Sequence, residues 1–216
     1  MIQSYDLYLP THLVFGKGRI AELGNLIKGY GKKVLLAYGG GSVKRIGLYD
    51  EAKKILADSG CDVVELGGIA PNPKIESVRE GVALCKKEGV EFILSIGGGS
   101  VLDASKAIAI YAADPSLAPM DIYKREYSGT PLPVLLIGTT AGTGSEVTGV
   151  AVLTNDETGA KKSISGADCY AAVSFCDYGY TRTMPRKETV STALDAFAHA
   201  VEGFFTPKCG GVLDLY

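Results

Sequence analysis

Histidine is scarce in this sequence, which contains only His12 and His199 among its 216 residues. A catalytic divalent metal usually needs at least three protein ligands and an open position, so two distant histidines do not supply a complete site. Cysteine is also sparse: the five cysteines are odd in number, scattered and without a CxxC pair. This pattern indicates reduced thiols in a cytoplasmic protein.

Charge of one sign and long apolar runs are lacking as well. The formal net charge is −2 with both signs mixed, so the sequence has no electrostatic footprint for nucleic acid or a membrane surface. No apolar run reaches the ~18 residues of a membrane-spanning helix, and the first residues lack the features of a signal peptide. The composition, 46% hydrophobic and 21% charged, is that of a globular protein with one large domain, or one domain and part of another.

Glycine, in contrast, is abundant, and the 28 glycines cluster after short apolar runs. Near-continuous apolar strands alternate with helical patterns, which predicts an α/β fold with a parallel sheet and helices on both faces. In such sheets ligands bind beyond the carboxyl ends of the strands, where these glycines fall. The predicted strands cover residues 34–38, 62–66, 92–96 and 134–137, and the predicted helices cover residues 49–59, 75–88 and 103–113.

The pattern changes after residue 145. Two short strands over residues 150–154 and 161–164, joined by a polar turn, predict an antiparallel hairpin, and residues 171–175 predict one more strand. A weak alternation over residues 4–18 indicates a further hairpin near the start of the chain.

A helical pattern begins at Pro185, with apolar residues recurring at spacings of three and four up to Phe205. We therefore predict a dinucleotide-binding α/β domain over residues 1–184 and the first part of an all-helical domain over residues 185–216. Apolar residues near the end of the chain, such as Val212 and Leu213, are expected to be exposed and to require a partner surface.

Two glycine-rich loops have the features of a phosphate-binding site. Residues 97–100 follow a strand and open a helix, where glycine allows close backbone approach and free N–H groups attract an anion. The alternative is a tight turn in which Ser100 caps the helix. The spacing is not GxGxxG, which argues against an ordinary Rossmann fingerprint. In the second loop, residues 138–146, Glu146 stands where a Walker A loop needs its Lys-Ser/Thr end, which argues against a kinase or ATPase.

A third cluster, Gly39 to Ser42, ends the first predicted parallel strand. An acidic residue near such a strand end commonly binds the ribose 2′-hydroxyl of NAD, whereas a nearby cation suits the 2′-phosphate of NADP. No acid occurs between Ala37 and Asp50, and Lys44 and Arg45 follow the glycines. This loop therefore favours NADP(H) over NAD(H), although a glycine turn with two solvated cations is the alternative.

Asp195 and His199 lie four residues apart on the last predicted helix, so their side chains share one face. A carboxylate and an imidazole in this arrangement can supply two ligands of a divalent metal. By themselves the two residues favour the alternative, an ordinary helix-surface pair or a capped polar pair in the core. Beside the glycine loops they indicate half of a metal site, in a chain that holds the nucleotide-binding half of an enzyme.

Taken together, these motifs resemble the iron-containing (group III) alcohol dehydrogenase family, and the run around Gly39 is most similar to its NADP(H)-dependent butanol dehydrogenase and aldehyde reductase members. Their order and spacing run through the whole chain, so the resemblance is specific although each motif alone is weak. The segments that carry it are 71–73, 97–100 with Asp103 and Lys106, 139–148, Lys161 with Lys162, and 194–202.

The resemblance implies a two-domain, metal-dependent oxidoreductase that transfers a hydride between NAD(P)(H) and an alcohol, aldehyde or ketone. Asp195 and His199 match its first two ligands for Fe(II), or alternatively Zn(II), while two further histidines are expected beyond this chain. The chain alone is therefore expected to hold metal weakly and to be inactive. The expected cofactor contacts are Gly39, Gly40, Ser42, Asn72, Gly98, Gly99, Ser100, Asp103, Thr139, Thr140, Thr143, Ser145, Lys162 and Tyr180.

We also expect a homo-oligomer, a dimer or larger, with small-molecule substrates and no nucleic acid or membrane partner. Two alternatives stay open at the level of the sequence. One is a glycerol dehydrogenase-like or dehydroquinate synthase-like enzyme, which shares the architecture. The other is a nucleotide-binding module without catalysis.

Overall fold

A computed structural model describes residues 8–114, 116 and 129–205. Its central feature is a six-stranded parallel sheet in the order β1-β8-β5-β4-β2-β3, beside a two-stranded antiparallel hairpin, β6-β7. The predicted α/β class and parallel sheet are confirmed. The strands are β1 His12–Phe15, β2 Lys33–Tyr38, β3 Asp62–Leu66, β4 Phe92–Gly97, β5 Val134–Gly138, β6 Val150–Thr154, β7 Lys161–Ser165 and β8 Val173–Cys176.

Helices cover both faces of the sheet because the central strands are apolar on both sides. Along β2, Val34 and Leu36 face one buried cluster, whereas Leu35 and Ala37 face the other, and all four side chains are fully buried. The α-helices are α1 Leu23–Leu26, α2 Ser42–Arg45, α3 Leu48–Asp58, α4 Ile75–Glu88, α5 Gly99–Ala113 and α6 Arg186–Phe205, and 3₁₀ turns cover Arg19–Glu22, Ile27–Gly29, Ala167–Cys169 and Tyr180–Thr183.

The strand order creates a switch point between β2 and β4. The chain leaves β2 towards β3 on one side, whereas after β4 it continues to β5 on the other side. In open α/β sheets a crevice forms at such a point, outside the carboxyl ends of the two strands. The glycine clusters that begin at Gly39 and Gly97 lie at these two strand ends.

The hairpin β6-β7 packs beside this crevice and is tied to the segment before α4. The Thr154 N–H donates to the Pro73 carbonyl at 2.9 Å, and Asp156 accepts from the Glu76 N–H at 3.1 Å, at the start of α4. Ala151 pairs with Ile164, and both side chains are buried. The sequence prediction of an antiparallel hairpin is confirmed.

The hairpin predicted over residues 4–18 stays a prediction, because residues 1–7 lie outside the described part of the chain. In the described part, β1 pairs in parallel with β8, with His12 opposite Val173. This pairing makes β1 an edge strand of the sheet, and its Val14 side chain is buried in one of the two apolar clusters.

Helix α6 begins directly after Pro185, as the sequence predicts, and none of its residues is buried. Several of its large apolar side chains are exposed, including Leu194, Phe197 and Phe205. The predicted exposure of Val212 and Leu213 falls outside the described residues. Within the described ranges, no helix combines the length and the apolar character that crossing a membrane requires.

Candidate dinucleotide and metal site

Three neighbouring cavities form a continuous trough along the carboxyl ends of the central strands. The first, about 890 Å³, contains Asp195 and His199; the second, about 330 Å³, lies over Gly39 and Gly98; the third, about 430 Å³, contains Arg45. The first two share Gly99, Ser100 and Thr143, whereas the second and third share Ser42 and Thr140.

Most of the predicted cofactor contacts are brought together in this trough. Of the fourteen residues, thirteen line the three cavities, including Tyr180 in the third, and Lys162 lines none of them. The first cavity is lined by Asn72, Gly99, Ser100, Asp103, Thr143 and Ser145, the second also by Gly39, Gly40, Ser42, Gly98 and Thr140, and the third also by Thr139.

The start of α5 lies between the first and second cavities. Gly98 has an extended conformation and immediately precedes the helix, so the first free N–H groups of α5 are at the cavity wall. The Ser100 hydroxyl accepts a hydrogen bond from the Asn72 N–H at 3.1 Å, and the Asn72 side-chain oxygen accepts from Lys161 Nζ at 2.6 Å. Asn72 has a positive φ of 55°. These hydrogen bonds join the N-terminus of α5 to the hairpin through Asn72. They also place the Lys161 ammonium near a helix N-terminus, which favours a bound anion.

A second set of buried polar contacts holds the other wall of the first cavity. Asp103 accepts from the Ser145 hydroxyl at 2.6 Å and from the Val152 N–H at 2.9 Å. Burial raises the pKa of Asp103, while these two hydrogen bonds and the nearby Lys106 oppose the shift. The result is a fixed connection between α5, the loop before β6 and β6 itself.

Lys106, one turn further along α5, is 1% exposed. Its ammonium donates to the carbonyl oxygens of Thr148 at 2.9 Å and Val150 at 3.0 Å. Burial lowers the pKa of Lys106, and the Asp103 carboxylate is the largest influence in the opposite direction. Because a buried ammonium must be hydrogen-bonded, these contacts fix the approach of the hairpin to α5.

Lys162 is placed on the opposite side of the hairpin from the cavity. It pairs with the buried Leu153, whereas the adjacent Lys161 pairs with Thr154, and both Lys161 and Thr154 line the first cavity. Successive strand residues face opposite sides, so Lys161 is the lysine on the cavity side. The choice between the two lysines follows from the hairpin register, which pairs Lys162 with Leu153 and Lys161 with Thr154.

Tyr180 lies at the outer end of the trough, in the third cavity. Its hydroxyl donates to Glu51 at 3.3 Å, and burial raises the pKa of Tyr180 well above its usual value. Tyr180 therefore lines neither of the first two cavities, and its hydroxyl contacts α3.

The loops leave little room for larger side chains. A Cβ atom at Gly98 would stand 3.1 Å from the Thr140 hydroxyl oxygen, and one at Gly142, where φ is 121°, would stand 2.6 Å from the Thr192 carbonyl of α6. Gly40 lines the second cavity, and a Cβ atom there would meet no atom within 4 Å. Gly142 therefore allows the contact with α6, whereas Gly40 leaves the cavity itself open.

Asp195 and His199 face the first cavity from α6. The closest approach of the two side chains is 3.6 Å, from His199 Nε2 to Asp195 Oδ1, and both remain substantially exposed. A carboxylate and an imidazole are suitable donors for Fe(II) or Zn(II). In the described part of the chain no group of three or more histidine, cysteine, aspartate or glutamate side chains is suitably placed to hold a metal ion. The pair fits part of a metal site, with ligand positions left open.

The match to known proteins agrees with this geometry. The model of the family described as "iron-containing alcohol dehydrogenase" matches residues 10–178. The chain belongs to the iron-containing alcohol dehydrogenase family.

Its relatives include proteins that are named for both cofactors. The chain is 40% identical over 207 residues to NADH-dependent butanol dehydrogenase A of Clostridium acetobutylicum, covering 94% of this chain and 52% of that protein. It is 38% identical over 210 residues to the NADPH-dependent aldehyde reductase YqhD of Escherichia coli, covering 95% and 53%.

Solved structures of the family have the same fold. A crystal structure of NADH-dependent butanol dehydrogenase A from Thermotoga maritima is 39% identical and superposes with a TM-score of 0.88, covering 94% of this chain and 52% of that one. The chain therefore spans about half the length of the relatives that it matches.

Proposed function

We propose that this chain forms the cofactor-binding part of a metal-dependent oxidoreductase that transfers a hydride between NADP(H) and a small alcohol, aldehyde or ketone. The observation that carries the proposal is the continuous trough, which connects the glycine loops at the switch point to Asp195 and His199. An extended dinucleotide needs such a groove, with its pyrophosphate at a helix N-terminus. The activity belongs to the whole protein, of which the relatives suggest that this chain is about half.

Within this proposal the residues of the first two cavities have separate tasks. The N–H groups of Gly99 and Ser100 at the start of α5 bind the pyrophosphate, and Lys161 adds a positive charge beside them. Asp103 and Ser145 hold the loop that borders the nicotinamide end. Gly40 leaves space for the adenosine ribose. The cofactor, when bound, supplies the hydride chemistry.

Asp195 and His199 are the proposed metal ligands of this chain. A bound divalent metal supplies Lewis-acid polarisation of the substrate oxygen. Because α6 follows Pro185 and has no buried residue, we also propose the boundary at residue 184, with α6 as the first helix of a helical domain. The homo-oligomeric state and the cytoplasmic location stay predictions from the sequence.

The preference for NADP(H) is supported by the surroundings of the loop after β2. The acid nearest to this loop on the neighbouring strand, Glu65, accepts hydrogen bonds from the hydroxyls of Tyr38 at 3.0 Å and Tyr49 at 2.7 Å. It also forms an ion pair with Lys53 at 2.8 Å. The Glu65 carboxylate is thus already bound by three partners and is not free to select the 2′-hydroxyl of NAD.

The test is a titration of the chain with NADPH and with NADH, followed by nicotinamide fluorescence and calorimetry. We expect saturable binding of both and tighter binding of NADPH. The informative variant is Gly40→Val, since Gly40 lines the second cavity and a Cβ atom there meets no protein atom within 4 Å. A matched control is Gly29→Val, another exposed glycine where a Cβ meets nothing within 4 Å. Equal affinity in both variants and the unmodified chain would refute the placement of the nucleotide.

A further inference from the structure

Two cations follow the glycines after β2, and the structure gives them different surroundings. The Lys44 ammonium lies over the rings of Tyr38 and Tyr49, at 4.9 Å and 4.5 Å from their centroids. Both of these tyrosines donate to Glu65. Lys44 is thereby held by cation–π contacts on the β3 side of the loop and lines none of the three cavities of the trough.

Arg45 points to the other side of the loop. Its guanidinium lies close to the glycine backbone, because a Cβ atom at Gly41 would stand 3.3 Å from the Nη1 atom of Arg45. It lines the third cavity together with Ser42 and Thr140. Among the described residues, no hydrogen bond or ion pair engages the Arg45 side chain, although Glu188 borders the same cavity.

Ser42 connects this guanidinium to the proposed ribose position. Its side chain borders both the second cavity, over Gly40, and the third cavity, beside Arg45. A group attached to a ribose above Gly40 would therefore reach a hydroxyl and a guanidinium without hydrogen-bonding partners. A phosphomonoester dianion matches these donors, because a guanidinium binds phosphate oxygens with charge-assisted and often paired hydrogen bonds.

We propose that Arg45, with Ser42, binds the 2′-phosphate of the cofactor and sets the preference for NADP(H), whereas Lys44 does not contact the cofactor. This inference rests on the proposed function, since it needs a dinucleotide in the trough. It goes further by assigning the specificity to one of two adjacent cations, which sequence alone treats alike. Lys44 instead maintains the tyrosine platform beside β3.

The test compares Arg45→Gln, Lys44→Gln and Ser42→Ala, with NADPH and NADH as the two probes. These probes differ only in the 2′-phosphate. Losing a charge-assisted contact costs about ten- to a hundredfold in affinity. Arg45→Gln should weaken NADPH binding by roughly that factor and leave NADH binding unchanged. Lys44→Gln should alter neither affinity, and Ser42→Ala should reduce NADPH binding by a smaller factor.

Circular dichroism of each variant checks that the fold is retained, and unchanged NADH affinity is an internal check on the nucleotide site. Loss of NADPH preference in Lys44→Gln but not in Arg45→Gln would overturn the assignment. Equal affinity of the unmodified chain for both probes would overturn it too and would remove the NADP(H) preference, whereas saturable binding of both would still support a dinucleotide in the trough. If neither probe binds, the proposed function fails and this inference fails with it.

Discussion

Replacement of Lys106 by methionine should destabilise the chain strongly, because Lys106 joins α5 to the hairpin through a buried ammonium. Methionine keeps most of the aliphatic length, so the main loss is the donor for the carbonyls of Thr148 and Val150. A fully buried acceptor left without a donor costs about 1–3 kcal/mol, and these two hydrogen bonds are only partly buried. Because the variant also removes a buried charge, which is itself unfavourable, we expect a net loss of about 1–3 kcal/mol in the free energy of unfolding.

Urea unfolding followed by circular dichroism measures this loss. The matched control is Lys53→Met, which removes an exposed lysine and its surface ion pair with Glu65 and should change stability much less. Hydrogen exchange should also show faster exchange at Val152, whose N–H donates to Asp103 in the same contact region. A Lys106→Met variant as stable as Lys53→Met would show that the hairpin is held mainly by other contacts, contrary to this reasoning.

Three further outcomes are expected. Gly98→Val should abolish NADPH binding with little loss of helix content, because its side chain would crowd Thr140 where α5 begins. Fluorescence titration and circular dichroism measure the two effects, and unchanged affinity would show that the pyrophosphate binds at another place. Two backbone N–H groups hold the pKa of Glu91 below its ordinary value of 4.5. The Glu91 carboxylate therefore contributes to stability above pH 4.5, and this contribution is lost as the pH falls through the lowered pKa of the folded chain. Glu91→Gln should remove this part of the pH dependence of the urea unfolding midpoint. Calorimetry with Zn(II) should show weak binding, lost in Asp195→Ala and His199→Ala, with negligible alcohol oxidation; a stoichiometric metal that survives dialysis would contradict the view of an incomplete site.

Much of the fold could be predicted from the sequence because strand burial and glycine placement are local signals. The run at residues 75–88 gave the bounds of α4, and the apolar runs at 34–38 and 92–96 gave the two strands that flank the switch point. The parallel pairing of β1 with β8 could not be predicted, since it joins residues about 160 positions apart. A pattern within a short stretch of sequence does not indicate a pairing between such distant residues.

The sequence predicted which loops form the candidate site, but it did not predict the surroundings of every side chain in it. Spacing alone placed Asp195 and His199 on one helical face, and the structure brings both to the first cavity. The sequence could not separate Lys44 from Arg45, because their surroundings depend on the rings of α3 and β2. Likewise, the choice between Lys161 and Lys162 depends on hairpin register, which the turn alone left open.

The central claim is that a dinucleotide lies along the trough with its pyrophosphate at the start of α5. A crystal structure of the chain with NADPH tests this most directly. The account predicts pyrophosphate oxygens within hydrogen-bond distance of the Gly99 and Ser100 N–H groups, the nicotinamide in the cavity that contains Asp195 and His199, and the 2′-phosphate beside Arg45. A nucleotide bound outside the trough, or bound in the reverse direction with its adenine beside Asp195, would contradict it.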